Sequence, residues 1–172
     1  MITSPSIAAA PGWRFLLAHP AHLLAFGFGV GLLPGARGTV GTLLAFPLYW
    51  GTSPRLDTQW MLIVAAALFL AGLWICGKTG ADLGVHDYRG IVWDEIAAFY
   101  LVLVLLPVDA KQQWLWQAFA FLLFRLFDIF KPQPVRYFDR AYQNGFGVML
   151  DDVVAAFYTL LVLAGWKLVA SS

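Results

Sequence analysis

Charge is scarce in this chain: 12% of its 172 residues are Asp, Glu, Lys or Arg, and 60% are hydrophobic. A soluble domain carries about 25% charged and about 45–50% apolar residues. The deficit, with a mean hydropathy of +0.72, argues against a water-soluble fold and for an integral membrane protein. The 11 Lys and Arg residues form no run and the net charge is +1, so no basic patch is offered to nucleic acid. Cysteine is reduced to Cys76, which excludes an intramolecular disulfide and a thiolate metal cluster built from this chain alone. Asp82, not an arginine, lies six positions after Cys76, so there is no cysteine-phosphatase loop, and Cys76 reads as a packing residue. His19, His22 and His86 make no HExxH metal motif. No basic residue precedes Arg14, so a charged secretory leader is not expected and insertion should rely on internal apolar segments.

What the chain has is apolar runs. A spanning helix needs about 20 such residues, and the candidates are 59–77, 91–107, 112–130 and 148–169. A shorter stretch from Gly38 to Gly51, containing Pro47, is either a tilted span or a re-entrant segment supported by its neighbours, and a span is favoured. Upstream, WRFLLAHPAHLLAFGFGVG is interrupted by Pro20 and glycines, which suits an interfacial helix. The expectation is an all-α polytopic membrane helix bundle of four to five transmembrane or re-entrant helices with an amino-terminal interfacial helix. It forms one domain over residues 1–172, with a variable segment over 1–20.

Threading these runs as antiparallel hairpins collects the polar residues on one side. Arg37 and Thr39 precede the short stretch, Asp82 and Asp87 follow the next run, and Asp94 and Glu95 begin the third. Arg125, Asp128 and Lys131 end the fourth, and Asp151 and Asp152 begin the fifth. Most of the basic residues share that face, so the positive-inside rule makes it cytoplasmic.

A carboxylate at the edge of hydrocarbon is expensive and usually faces a partner or a polar cavity. In FRLFDIFKPQP, Arg125, Asp128 and Lys131 recur every three residues, so neighbours can meet on one side of a helix that Pro132 and Pro134 bring to a stop. Asp151 and Asp152, expected in the first turn of the last helix, could serve its dipole, but that needs no adjacent pair. Adjacent helical residues are about 100° apart, so one of each acidic pair can face the bundle while the other turns to water or a second ligand. If one member of each pair joins Asp128, three carboxylates converge and repel one another. A hard divalent cation such as Mg²⁺, which also engages phosphate, resolves that repulsion. The alternative is direct pairing with Arg125 and Lys131, holding the helices together. GFGVGLLPGARGTVGT, Gly27 to Thr42, matches no nucleotide-binding pattern. Its backbone amides at Gly38, the Thr39 hydroxyl and the Arg37 guanidinium nonetheless suit an oxyanion.

Four blocks in this order, GARGTVGT, DLGVHDYRGIVWDE, FRLFDIFKPQPVRYFD and GFGVMLDD, closely resemble the phosphatidylglycerophosphatase A family of bacterial inner-membrane enzymes. The resemblance runs from about His22 to the last helix. It implies Mg²⁺-dependent hydrolysis of the phosphomonoester of phosphatidylglycerophosphate, a lipid substrate within the bilayer, at the cytoplasmic face. On that reading Asp94, Glu95, Asp128 and Asp152 are catalytic. Glu95, Asp128 and Asp152 hold Mg²⁺ with Asp151 and Asp82 in support, and Arg37, Gly38, Thr39, Arg125 and Lys131 bind substrate. Water or an aspartyl group is the nucleophile. A small cation or proton transporter is the other reading of buried carboxylates, although its acids should sit near the bilayer midplane and not at one end of the helices.

Overall fold

The computed structural model describes residues 11–85, 88–106, 112–130 and 145–170, and every regular element among them is helical. Two short helices come first, α1 (Trp13–Ala18) and α2 (Pro20–Ala25), followed by a 3-10 turn (Gly27–Leu32). One helix is expected here and two form, because Pro20 disfavours helical geometry in the residue before it and His19 is extended at φ −152°, ψ 138°. Leu16, Ala21, Ala25 and Phe26 are fully buried, while Trp13 and Leu17 face outward.

The stretch containing Pro47 breaks into α3 (Arg37–Leu43) and α4 (Ala45–Thr52). Proline has no N–H to give to the Leu43 carbonyl and its ring collides with that group, whereas it is tolerated in a first turn. The helix therefore stops and restarts with Pro47 near its beginning. Even laid end to end the two would reach about 24 Å at 1.5 Å per residue, less than the roughly 30 Å of a hydrocarbon core. Both pack against α6 (Trp93–Leu105).

Two helices among the described residues are long and apolar enough to cross a membrane: α5 (Thr58–Leu83) and α8 (Gly145–Ala170), with α7 (Gln113–Phe130) between α6 and α8 in the chain. Asp57 caps α5, its Oδ1 accepting from the Trp60 N–H at 3.1 Å. Gly84, at φ 68°, ends it in the left-handed conformation that glycine adopts without penalty. Only 28% of the most apolar stretch of α5 is buried within the molecule. Its Ile63, Leu70 and Trp74 are exposed, as a lipid-facing surface requires and a soluble core helix does not.

The centre is α6, which touches α3, α4, α5, α7 and α8. Its Phe99, Tyr100 and Val102 are fully buried, and the Phe99 ring packs among Phe46, Phe121 and Phe124. The start of α8 lies against the α5 backbone. A Cβ on Gly145 would sit 2.3 Å from the Leu73 carbonyl oxygen and 2.8 Å from the Gly77 nitrogen, so only glycine permits that approach. This contact, together with Gly72 against Met149, determines where the acids of α8 come to rest.

Candidate active site

The register of α6 is set from outside it. The Val92 N–H donates to the Ala25 carbonyl at 2.8 Å, and the Trp93 indole N–H donates to the Leu68 carbonyl at 3.0 Å. Asp94 and Glu95 then fall in the first turn. Asp94 Oδ1 accepts from the Glu95 N–H at 3.0 Å, while Glu95 reaches across to α3 and α7. Its Oε1 accepts from Arg125 Nη1 at 3.0 Å, and its Oε2 lies 3.3 Å from Thr42 Oγ1. Arg125 Nη1 also donates to Asp128 Oδ2 at 2.5 Å and to Thr42 Oγ1 at 3.4 Å. One guanidinium thus ties three helices together.

Two glycines on α3 make room for this junction. A Cβ on Gly38 would stand 2.2 Å from Glu95 Oε1 and 2.8 Å from an Arg125 nitrogen, and one on Gly41 would stand 3.1 Å from Glu95 Oε2. Thr42, one position on, is fully buried and hydrogen-bonds back to the Gly38 carbonyl at 2.8 Å. Spacings of three and four residues place all three on one face of α3.

Around the junction opens a cavity of about 540 Å³, into which the start of α3, the start of α6, the end of α7 and the early turns of α8 project. Asp94, Glu95, Asp128, Asp151 and Asp152 line it together with Arg89, Arg125, Gly38 and Thr39. Asp151 and Asp152 depart from expectation in two ways. Because α8 begins at Gly145, they stand about two turns inside the helix, beyond the reach of its terminal dipole. Both are also buried, with neither turned to water.

Other expected residues are placed elsewhere. Arg37 lines an adjoining cavity of about 330 Å³ that shares Gly35, Gly38 and Arg89 with the first, and its Nε–H donates to the Leu33 carbonyl at 3.0 Å. Asp82 does not line the acidic cavity. It pairs with His22 Nε2 at 2.7 Å and with Lys78 one turn earlier on α5, which holds it to the amino-terminal helices. Lys131, His86 and Asp87 lie outside the described residues. Thr42, Gly41 and Arg89 also belong to the site; Arg89 was legible only as one of the basic residues of the polar face, and the residue types of Thr42 and Gly41 announced nothing. For Thr42 and Gly41 the signal was the spacing Gly38, Gly41, Thr42 inside GARGTVGT.

Among the described residues no three Asp, Glu, His or Cys side chains stand close enough together to hold a metal ion, because Arg125 occupies the space between Glu95 and Asp128. The direct ion pairing weighed from the sequence is therefore present. It does not exhaust the charge, since five carboxylates face two guanidiniums across the cavity. That surplus of hard oxygen donors has the chemistry of a Mg²⁺ site. Arg125 Nε is buried with no hydrogen-bond acceptor among the described residues, and a buried donor left unpaired costs free energy that an incoming oxyanion recovers. The arrangement can hold a cation and an anion side by side, as phosphoryl transfer demands.

A family model described as phosphatidylglycerophosphatase A matches residues 23–167. Phosphatidylglycerophosphatase A of Haemophilus influenzae is 48% identical over 150 residues, covering 87% of this chain and 90% of that protein. The Escherichia coli protein of the same name is 42% identical over 142 residues, covering 83% and 80% respectively. A Bacteroides thetaiotaomicron relative, provisionally named a phosphatidylinositol-3-phosphatase, is 36% identical over 147 residues, covering 83% and 90%. No solved structure matches the chain.

Proposed function

The chain belongs to the phosphatidylglycerophosphatase A family, and from that premise we propose that it hydrolyses the phosphomonoester of phosphatidylglycerophosphate. The products are phosphatidylglycerol and inorganic phosphate, and the reaction is Mg²⁺-dependent at the cytoplasmic face of a bacterial inner membrane. The observation that carries the reading is the cavity in which five carboxylates face the partly buried Arg125 guanidinium and Arg89 at the ends of apolar helices. A lipid phosphomonoester presents its charge at that depth, where the headgroups lie.

Arg125 offers its unpaired Nε–H to a phosphate oxygen, and Thr39 and Arg89 complete the cradle from the rim. Glu95, Asp128 and Asp152, with Asp151 beside them, would hold Mg²⁺ only after their side chains draw in around it, because Arg125 stands between Glu95 and Asp128. When bound, the ion supplies charge neutralisation on the phosphate and a more acidic water. Asp94, which lines the cavity from the first turn of α6, takes the proton of the attacking water. Arg125 and Thr42 keep Glu95 and Asp128 oriented throughout.

Phosphate release from phosphatidylglycerophosphate in detergent, with Mg²⁺ and with excess chelator, tests the reading. Release that stops with chelator and is lost in Asp128→Asn supports it. Near-normal release by Asp128→Asn, or none from folded wild-type protein, rejects it.

A further inference from the structure

Two cavities of opposite character meet at Gly38 and Arg89. The larger is lined by all five carboxylates, whereas the smaller, of about 330 Å³, is lined among the described residues by Gly35, Arg37, Gly38 and Arg89, with no acid among them. Among the described residues Arg37 and Arg89 form no ion pair. Arg37 spends its Nε–H on the Leu33 carbonyl, which anchors the side chain and leaves its terminal nitrogens for another acceptor. Gly35 turns the backbone at the rim, at a φ of +85° that glycine adopts without strain. A pocket whose charged groups among the described residues are both guanidiniums fits an oxyanion held by bidentate hydrogen bonds.

The substrate of the proposed reaction carries two phosphates separated by one glycerol: the terminal monoester that is cut and the internal diester that remains in the product. We propose that the Arg37–Arg89 cavity binds the internal phosphodiester while the terminal phosphate occupies the acidic cavity, making Arg37 the residue that selects a lipid with a second phosphate. The proposal rests on the reading of the larger cavity as the hydrolytic site. No bond forms or breaks in the smaller cavity. Arg89 borders both and keeps the two anions apart.

The test compares kcat/KM for phosphatidylglycerophosphate with that for phosphatidic acid, which has the monoester and lacks the diester. Wild-type protein should prefer phosphatidylglycerophosphate, and Arg37→Ala should reduce that ratio by about tenfold or more, the scale of losing hydrogen bonds to a charged group. Arg37→Lys, which keeps the charge and loses the fork, should recover part of the ratio. Arg37 is partly exposed, so folding of the variants is checked by thermal unfolding in the same detergent. An unchanged ratio, with both substrates losing equally, overturns the proposal and leaves the hydrolytic reading intact. The same oxyanion chemistry could serve released phosphate. Loss of inhibition by inorganic phosphate in Arg37→Ala without a change in the ratio would assign the cavity to the product and overturn the diester assignment. Absence of hydrolysis of either lipid by folded wild-type protein rejects the hydrolytic reading and this inference with it.

Discussion

Gly38 separates function from stability more cleanly than any charged residue in the site. An added methyl would meet only the ends of the Glu95 and Arg125 side chains, at 2.2 and 2.8 Å, and those ends can swing aside without moving backbone. Gly38→Ala should therefore shift the melting temperature little, while activity falls by about tenfold or more, since misplacing catalytic groups by an ångström can cost about a hundredfold. Unfolding curves and phosphate release from one preparation check both halves. Thr42→Val keeps the shape and removes the hydroxyl that accepts from Arg125 and reaches Glu95. It should cost about 1–2 kcal/mol of stability as buried groups lose a partner, measurable by denaturant unfolding, and should lower activity as well. At this scale the acids and Arg125 were legible because charge in an apolar run demands an explanation. Thr42 was not, because a buried hydroxyl and a surface one look alike in a sequence. Arg37 was assigned to the acidic site because it follows the glycine loop, and only the fold separates the two cavities.

At the scale of elements, helix existence was legible from apolar length, and helix ends were not. The last helix was expected to begin near residue 148, which made Asp151 and Asp152 first-turn residues. It reaches back to Gly145, which lies against the α5 backbone, a contact between segments about seventy positions apart that no local pattern encodes. The break between α3 and α4 follows from Pro47; apolar length and the proline leave a tilted span and a re-entrant segment both open, with a span favoured, and the two short helices that form are together shorter than a hydrocarbon core. The α5–α8 contact makes its own prediction. Gly145→Val places a branched side chain against the Leu73 carbonyl and Gly77, atoms of rigid backbone, so α8 must tilt away. The expected loss is about 2–4 kcal/mol, in the range of severe packing defects, read as a lowered melting temperature. Activity should fall too, because Asp151 and Asp152 leave the cavity with α8. A variant that kept both stability and activity would show that the close approach of these helices does not set the position of the acids.

Across the whole molecule, threading successive runs as hairpins brought the acids of α6, α7 and α8 to one end, and the fold gathers them into one cavity. The same threading put Asp82 at that end without resolving that it belongs to a different cluster. Sharing a membrane face restricts depth and leaves lateral position free, and lateral position comes from helix packing. Asp82 is held by Lys78 and His22 and fastens α2 to α5, whereas Asp152 is buried in the wall of the acidic cavity. The two carboxylates should therefore respond in opposite ways to removal of charge. Asp152→Asn should raise the Mg²⁺ concentration needed for half-maximal phosphate release by about tenfold or more, as loss of a metal-holding group does, with the amino-terminal helices undisturbed. Asp82→Asn should leave the Mg²⁺ requirement where it is and instead speed hydrogen exchange in α1 and α2, because local opening follows the loss of the contacts that restrain it. Metal titrations and exchange on the same two variants separate the roles. A Mg²⁺ requirement raised equally in both would place Asp82 in the metal site and contradict its position in the fold.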